Sequence, residues 1–214
     1  MRNLFASLKA DTHHKHNELE STSPFVMFND MAHVDTTLYA NVIAVMQQFH
    51  TRSFDYLSGA ANTNPLLSDL LALLDATNIV NALKDDVGSL NNANISSLPA
   101  KGIPLPTFDS EFSATIAGIY VWLGSSMGAN IIVRRLTQQH VALPITYYTS
   151  MSQCARNWTI FKQKTALLLS NEHDVVSSIV DDANRWFDYL IQLGKEQTSL
   201  HRDVASTMPH AAAK

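Results

Sequence analysis

Apolar side chains recur along most of this chain at intervals of three and four, the spacing of one buried helical face. Leu38, Val42, Val45, Met46, Phe49 and Phe54 set that register for a helix over roughly 35–57. Upstream, Asn3 is a capping residue for a helix running to about Glu20, where the polar "STSP" at 21–24 ends it. Shorter apolar segments over 66–74 and 80–90 follow, the second closed by "NNAN". The segment 95–107, "ISSLPAKGIPLPT", carries three prolines and a glycine and reads as a crossing loop. A long run from about Asp109 to Gln139 comes next, then a connection around 141–147 containing Pro144. Two closing helices are expected over about 151–169 and 173–196, with Trp158, Phe161, Leu168, Ile179, Ala183, Trp186, Phe187 and Leu190 as core. No segment alternates like a strand, and there is no internal repeat or linker. The pattern predicts one all-α domain of seven or eight helices over residues 1–205, with 206–214 as a frayed tail.

The stretch from Phe112 to Val133 contains no charged residue and is long enough to span a bilayer. Its glycines, serines and Asn130 keep its apolarity modest, and no other stretch pairs with it as a second span. The reading that follows is a helix buried inside a soluble bundle.

Composition narrows the partners. Only 16% of residues are charged, below the roughly 25% of an average domain. A net charge of -4 gives no electrostatic footprint for nucleic acid. The single cysteine, Cys154, excludes an intramolecular disulfide and fits a reducing cytoplasm. The N-terminal segment lacks the apolar core of a signal peptide.

Two stretches could carry chemistry. The first is "DTHHKHNELE" at 11–20. On a helix, Thr12, His16 and Glu20 share one face, whereas His14 stands about 200° from His16 and His13 also points elsewhere. A carboxylate one turn beyond a histidine can accept a hydrogen bond from one ring nitrogen and raise the basicity of the other toward a metal. A solvated histidine with a polar neighbour has the same spacing. The second stretch is "GSSMGAN" at 124–130. Gly124 and Gly128 inside a helix cost roughly 1 kcal/mol each against alanine. They strip one face, which permits close packing of another helix, a kink, or the approach of a flat ligand.

A helix offering one oriented histidine and a helix with a stripped face suit a planar iron porphyrin. The segment "LKADTHHKHNELE" resembles the opening of the bacterial haem oxygenases that cleave haem to biliverdin, matching at Leu8, Lys9, Thr12, His16, Leu19 and Glu20. "GIYVWLGSSMGANII" at 118–132 is similar to that family's glycine-bearing segment, with weaker echoes at 81–90 and at Trp158, Phe161 and Phe187. Leu123 and Ala129 depart from it, at positions where relatives often carry glutamate and glycine.

The resemblance implies a haem-oxygenase-like bundle with haem between the N-terminal helix and a glycine-containing distal helix. His16 would be the iron ligand, Glu20 its hydrogen-bonding partner, and Thr12 a neighbour on the same side. Lys9 would reach a haem propionate, with Lys162 and Lys164 as further cations. Gly124 and Gly128 would let the distal backbone lie against haem, and Ser125 would join a distal polar network. The implied reaction uses dioxygen and electrons from an external donor such as ferredoxin or ascorbate, and yields biliverdin, carbon monoxide and ferrous iron, without membrane or nucleic acid. The alternative on the same residues is a haem carrier or sensor. A di-iron site at "NEHD" (171–174) or a nucleophile at Cys154 finds less support in the sequence.

Overall fold

A computed structural model describes residues 3–30, 34–90, 102–138, 142–170 and 175–207, with side chains described to residue 200. These residues form nine α-helices: α1 (Leu4–Asp11), α2 (His13–Ser21), α3 (Thr36–Thr63), α4 (Pro65–Leu71), α5 (Ala76–Ser89), α6 (Glu111–Leu136), α7 (Thr146–Cys154), α8 (Asn157–Leu168) and α9 (Val175–Thr207). Short 3-10 turns at Phe25–Phe28 and Ala72–Leu74 complete them. No strand occurs among the described residues.

The helix ends follow local chemistry. Asn3 Oδ1 accepts from the Phe5 amide at 3.1 Å to start α1, and Asp35 Oδ1 accepts from Thr37 N and Leu38 N at 2.7 and 3.1 Å to start α3. Asn64 caps α4 with Pro65 in its first turn. The expected single N-terminal helix is bent into α1 and α2 at Thr12, whose hydroxyl donates to the Leu8 carbonyl at 2.7 Å. Such back-bonding to the preceding turn bends helices. Likewise the helix expected over 151–169 divides into α7 and α8 at a turn where Ala155 N donates to Ser152 O. The closing helix runs about three turns further than expected, to Thr207.

α6 is the central element, packed mainly against α9 and α7, while α3 packs on α5, α4 and α9. It is long and apolar enough to cross a membrane, as, against the expectation of no second such stretch, is the run Pro65–Ser89 over α4 and α5, yet within α6 Ile116, Ala117, Ile119, Trp122 and Leu123 are fully buried. Gly118 is where α9 comes closest: a Cβ there would stand 3.0 Å from both Trp186 Nε1 and Leu57 Cδ2. Trp186 Nε1 donates to Ala114 O at 2.9 Å, fixing that approach. Asp182 of α9 is wholly buried and accepts from Ser113 Oγ at 2.5 Å and Arg185 at 2.5 Å, so its charge is satisfied.

α2 differs from the rest in burying none of its residues. It is held to α9 by polar contacts, Lys15 Nζ to Asp188 Oδ1 at 2.6 Å and Lys195 Nζ to Glu18 Oε1 at 3.3 Å. One helix therefore lies on the bundle without sealing against it, and a crevice remains between α2 and α6.

Candidate haem-binding crevice

The crevice has two adjoining halves, about 310 and 430 Å³ in volume. His16, Leu19, Gly124, Ser125 and Leu190 line both, so they mark where the halves meet. His16 and Leu19 come from α2 and the glycine–serine pair from α6. The bend at Thr12 turns α2 across the bundle, and a 3.5 Å contact between Thr12 Oγ1 and Tyr120 Oη ties that bend to α6. Burial pushes the Tyr120 hydroxyl pKa up, and the Thr12 contact offsets part of that shift.

His16 stands with Nδ1 3.5 Å from Glu20 Oε1, its side chain 55% exposed. Its ring meets Phe187 edge-on, centroids 6.0 Å apart and planes at 71°. One nitrogen thus faces a carboxylate and an aromatic edge restrains the ring. Thr12, Lys9 and His13 line the first half of the crevice beside His16. His13 is therefore brought to the site rather than turned from it, three residues along the same helix, with Nε2 3.2 Å from Asn17 Nδ2. His14 lines neither half.

Opposite them, α6 is bare. Neither Gly124 nor Gly128 has any heavy atom within 4 Å of where a Cβ would sit. Helix packing does not explain them, in contrast to Gly118. Their faces open onto a cradle that side chains would fill, and the exposed Met127 and Ile131 flank it. A flat, largely apolar ligand fits such a slot, and the volumes fall in the range of small-molecule sites, roughly 300–1,000 Å³.

Ser125 is placed at the slot, but its hydroxyl donates to the Trp122 carbonyl at 2.6 Å and touches Met151 Sδ at 3.9 Å. Its proton is engaged within the helix. Of the expected cations, only Lys9 lines the crevice. Lys164 points to α4, its Nζ 3.0 Å from Asp69 Oδ2, and Lys162 lines neither half. The cation in the second half is Arg135, which donates to the Phe28 carbonyl at 3.0 Å. Its position after Ile131 and Gly128 on α6, at i+4 and i+7, is the signal that would have found it. Tyr120, Tyr147 and Tyr148 also line the crevice and carried no such signal.

Among the described residues, no three His, Cys, Asp or Glu side chains converge on a point that could hold a metal ion. The expected "NEHD" ligands lie outside the described residues. Burial pushes the Cys154 thiol up to about 11, which keeps it a thiol at neutral pH.

The all-α arrangement is the haem oxygenase fold. It superposes on the crystal structure of heme oxygenase-1 from the cyanobacterium Synechocystis sp. PCC6803 in complex with heme, with a TM-score of 0.67 and 16% identity over 95% of this chain and 96% of that one. No protein-family model matches the chain, and no curated protein matches its sequence.

Proposed function

We propose that this chain binds haem in the α2–α6 crevice, with His16 as the iron ligand, and cleaves it oxidatively to biliverdin, carbon monoxide and ferrous iron. The observation that carries this reading is that His16 and the open faces of Gly124 and Gly128 line one slot from opposite sides. The residues present fit the group: a histidine nitrogen on one wall, space without side chains on the other, and apolar flanks from Leu19, Leu190 and Phe187.

Bound haem supplies both the iron that activates dioxygen and the ring that is opened. The protein's part is to bind, orient and exclude. Glu20 would hold the His16 tautomer, leaving the other ring nitrogen for the metal. Lys9 would receive a carboxylate of the ligand from the first half of the crevice. The bare α6 backbone would lie against the ring and cover it from solvent. Electrons would come from an external donor such as ferredoxin or ascorbate in the cytoplasm.

The test is to add haemin, record the absorption spectrum, and then supply ascorbate or reduced ferredoxin under air. A histidine-type Soret band that gives way to the biliverdin spectrum is the expected result. A band that persists identifies a haem carrier, and no band rejects both. His16→Ala should remove the iron–histidine signature while His13→Ala keeps it.

A further inference from the structure

The helix that carries His16 is held to the bundle chiefly by charge. α2 reads HHKHNELES, nine residues in which histidine, asparagine and serine are middling to poor helix formers. A helix this short is marginal on its own. Its first turn has no side-chain cap, because the Thr12 hydroxyl that could supply one is bonded back to the Leu8 carbonyl. None of its residues is buried, and its apolar hold is a half-buried Leu19 and the edge contact of His16 with Phe187.

Four side chains of alternating sign run along its seam with α9. Asp188 Oδ1 is 2.6 Å from Lys15 Nζ, Lys15 Nζ is 3.1 Å from Glu18 Oε2, and Glu18 Oε1 is 3.3 Å from Lys195 Nζ. Lys15 and Glu18 stand one turn apart on α2, and Asp188 and Lys195 two turns apart on α9. All four remain between 22% and 60% exposed, so water and salt reach them.

The chain on either side of α2 is anchored differently. Thr12 is buried beside Tyr120. After α2, Ser23 and Phe25 lie hard against α9 at Gly194, where a Cβ would stand 3.1 Å from the Ser23 carbonyl and 3.2 Å from the Phe25 ring. Thr198 Oγ1 adds a 3.2 Å contact to Ser23 Oγ. Between two packed ends, α2 is thus tied down by exposed ion pairs, and its His16, Leu19 and Glu20 line the crevice. Segments with few buried apolar contacts open locally at low cost.

We infer that α2 is a strap over the crevice, latched to α9 by the ladder Asp188–Lys15–Glu18–Lys195, and that release of this latch admits the ligand. Ligand entry rests on the proposed haem site; the latch itself does not.

Amide hydrogen exchange of the haem-free chain reads the latch. Asp188→Asn and Lys195→Gln should each speed exchange over residues 13–21 roughly two- to fivefold, the worth of one exposed ion pair. Amides of the α6 core over 116–123 should exchange as in wild type, and Lys195→Arg, which keeps the charge, should leave α2 unchanged. Mixed with haemin at fixed salt, the first two variants should take it up faster by a similar factor. One variant removes a negative charge and the other a positive one, so a shared acceleration does not come from attraction of the anionic haemin.

Wild-type exchange of α2 in both variants, faster exchange shared with the α6 core, or faster exchange with unchanged uptake overturns this inference and leaves the haem site standing. A wild-type chain that takes up no haemin overturns the haem reading and ligand entry with it, while exchange over 13–21 still decides the latch.

Discussion

Nδ1 of His16 lies 3.5 Å from Oε1 of Glu20, one helical turn on, with both side chains more than half exposed. As an ion pair in solvent this contact adds little stability, about 0–1 kcal/mol. In the proposed haem site its value would lie in fixing which nitrogen carries the hydrogen. Glu20→Ala should therefore leave the melting temperature within about 2 °C and weaken haemin binding by roughly 10–100-fold, the range for losing a histidine's outer partner. Haemin titration beside a thermal melt separates the two effects.

The three glycines of α6 should respond to substitution in opposite directions. Gly124→Ala and Gly128→Ala place a methyl in open space within a helix, so the haem-free protein should gain about 0.5–1 kcal/mol each. Gly118→Ala forces a methyl to 3.0 Å from Trp186 and Leu57 and should lose about 1–3 kcal/mol. Leucine at 124 or 128 should fill the slot and suppress haemin uptake without unfolding the chain. Urea unfolding and haemin titration of these variants check this. Equal destabilisation at all three positions would show that the slot is not open.

Cation contacts to the ligand should follow the crevice rather than the sequence spacing. Lys9→Gln should weaken haemin binding several-fold, because it removes the cation of the first half of the slot. Lys164→Gln should not, since that amine pairs with Asp69 beside α4. The difference between Lys9→Gln and wild type should shrink at high salt, while Lys164→Gln should match wild type at both salt concentrations.

These outcomes also mark what was legible beforehand. Three-to-four spacing marked the helices, and the shared face of Thr12, His16 and Glu20 is the face that lines the crevice, because both are local. The bend at Thr12 escaped because a threonine hydroxyl bonding back to Leu8 leaves the apolar period intact. Gly118 and Gly124 look alike in sequence, and only the arrival of Trp186 from α9 distinguishes a packing glycine from an open one. Lys164 lies beside α4 and Arg135 on the crevice for the same reason, since a cation's surroundings depend on which helix passes beside it. His50 sat within an ordinary apolar run, and nothing local marks a histidine whose partner, Tyr147, comes from another helix.

His50 should also leave a mark on acid stability. Its folded-state value of about 3 lies below the ordinary 6.5 because burial penalises the cation. Between those two values the unfolded chain binds a proton that the folded chain refuses. Stability therefore rises with pH across this window and falls as the solution is acidified from about 6.5 toward 3, by roughly 1.4 kcal/mol per pH unit from this group at full slope. Protonated carboxylates add to acid lability in the same direction, so the wild-type curve alone does not isolate the histidine. His50→Gln does, since glutamine keeps a hydrogen-bonding group and takes up no proton. Urea midpoints at pH 7, 6, 5 and 4 should show the variant less stable than, or equal to, wild type at pH 7 and progressively less disadvantaged below 6. Parallel curves from pH 7 to 4 would mean that the folded chain takes up the His50 proton as readily as the unfolded one, and that burial does not hold this ring neutral.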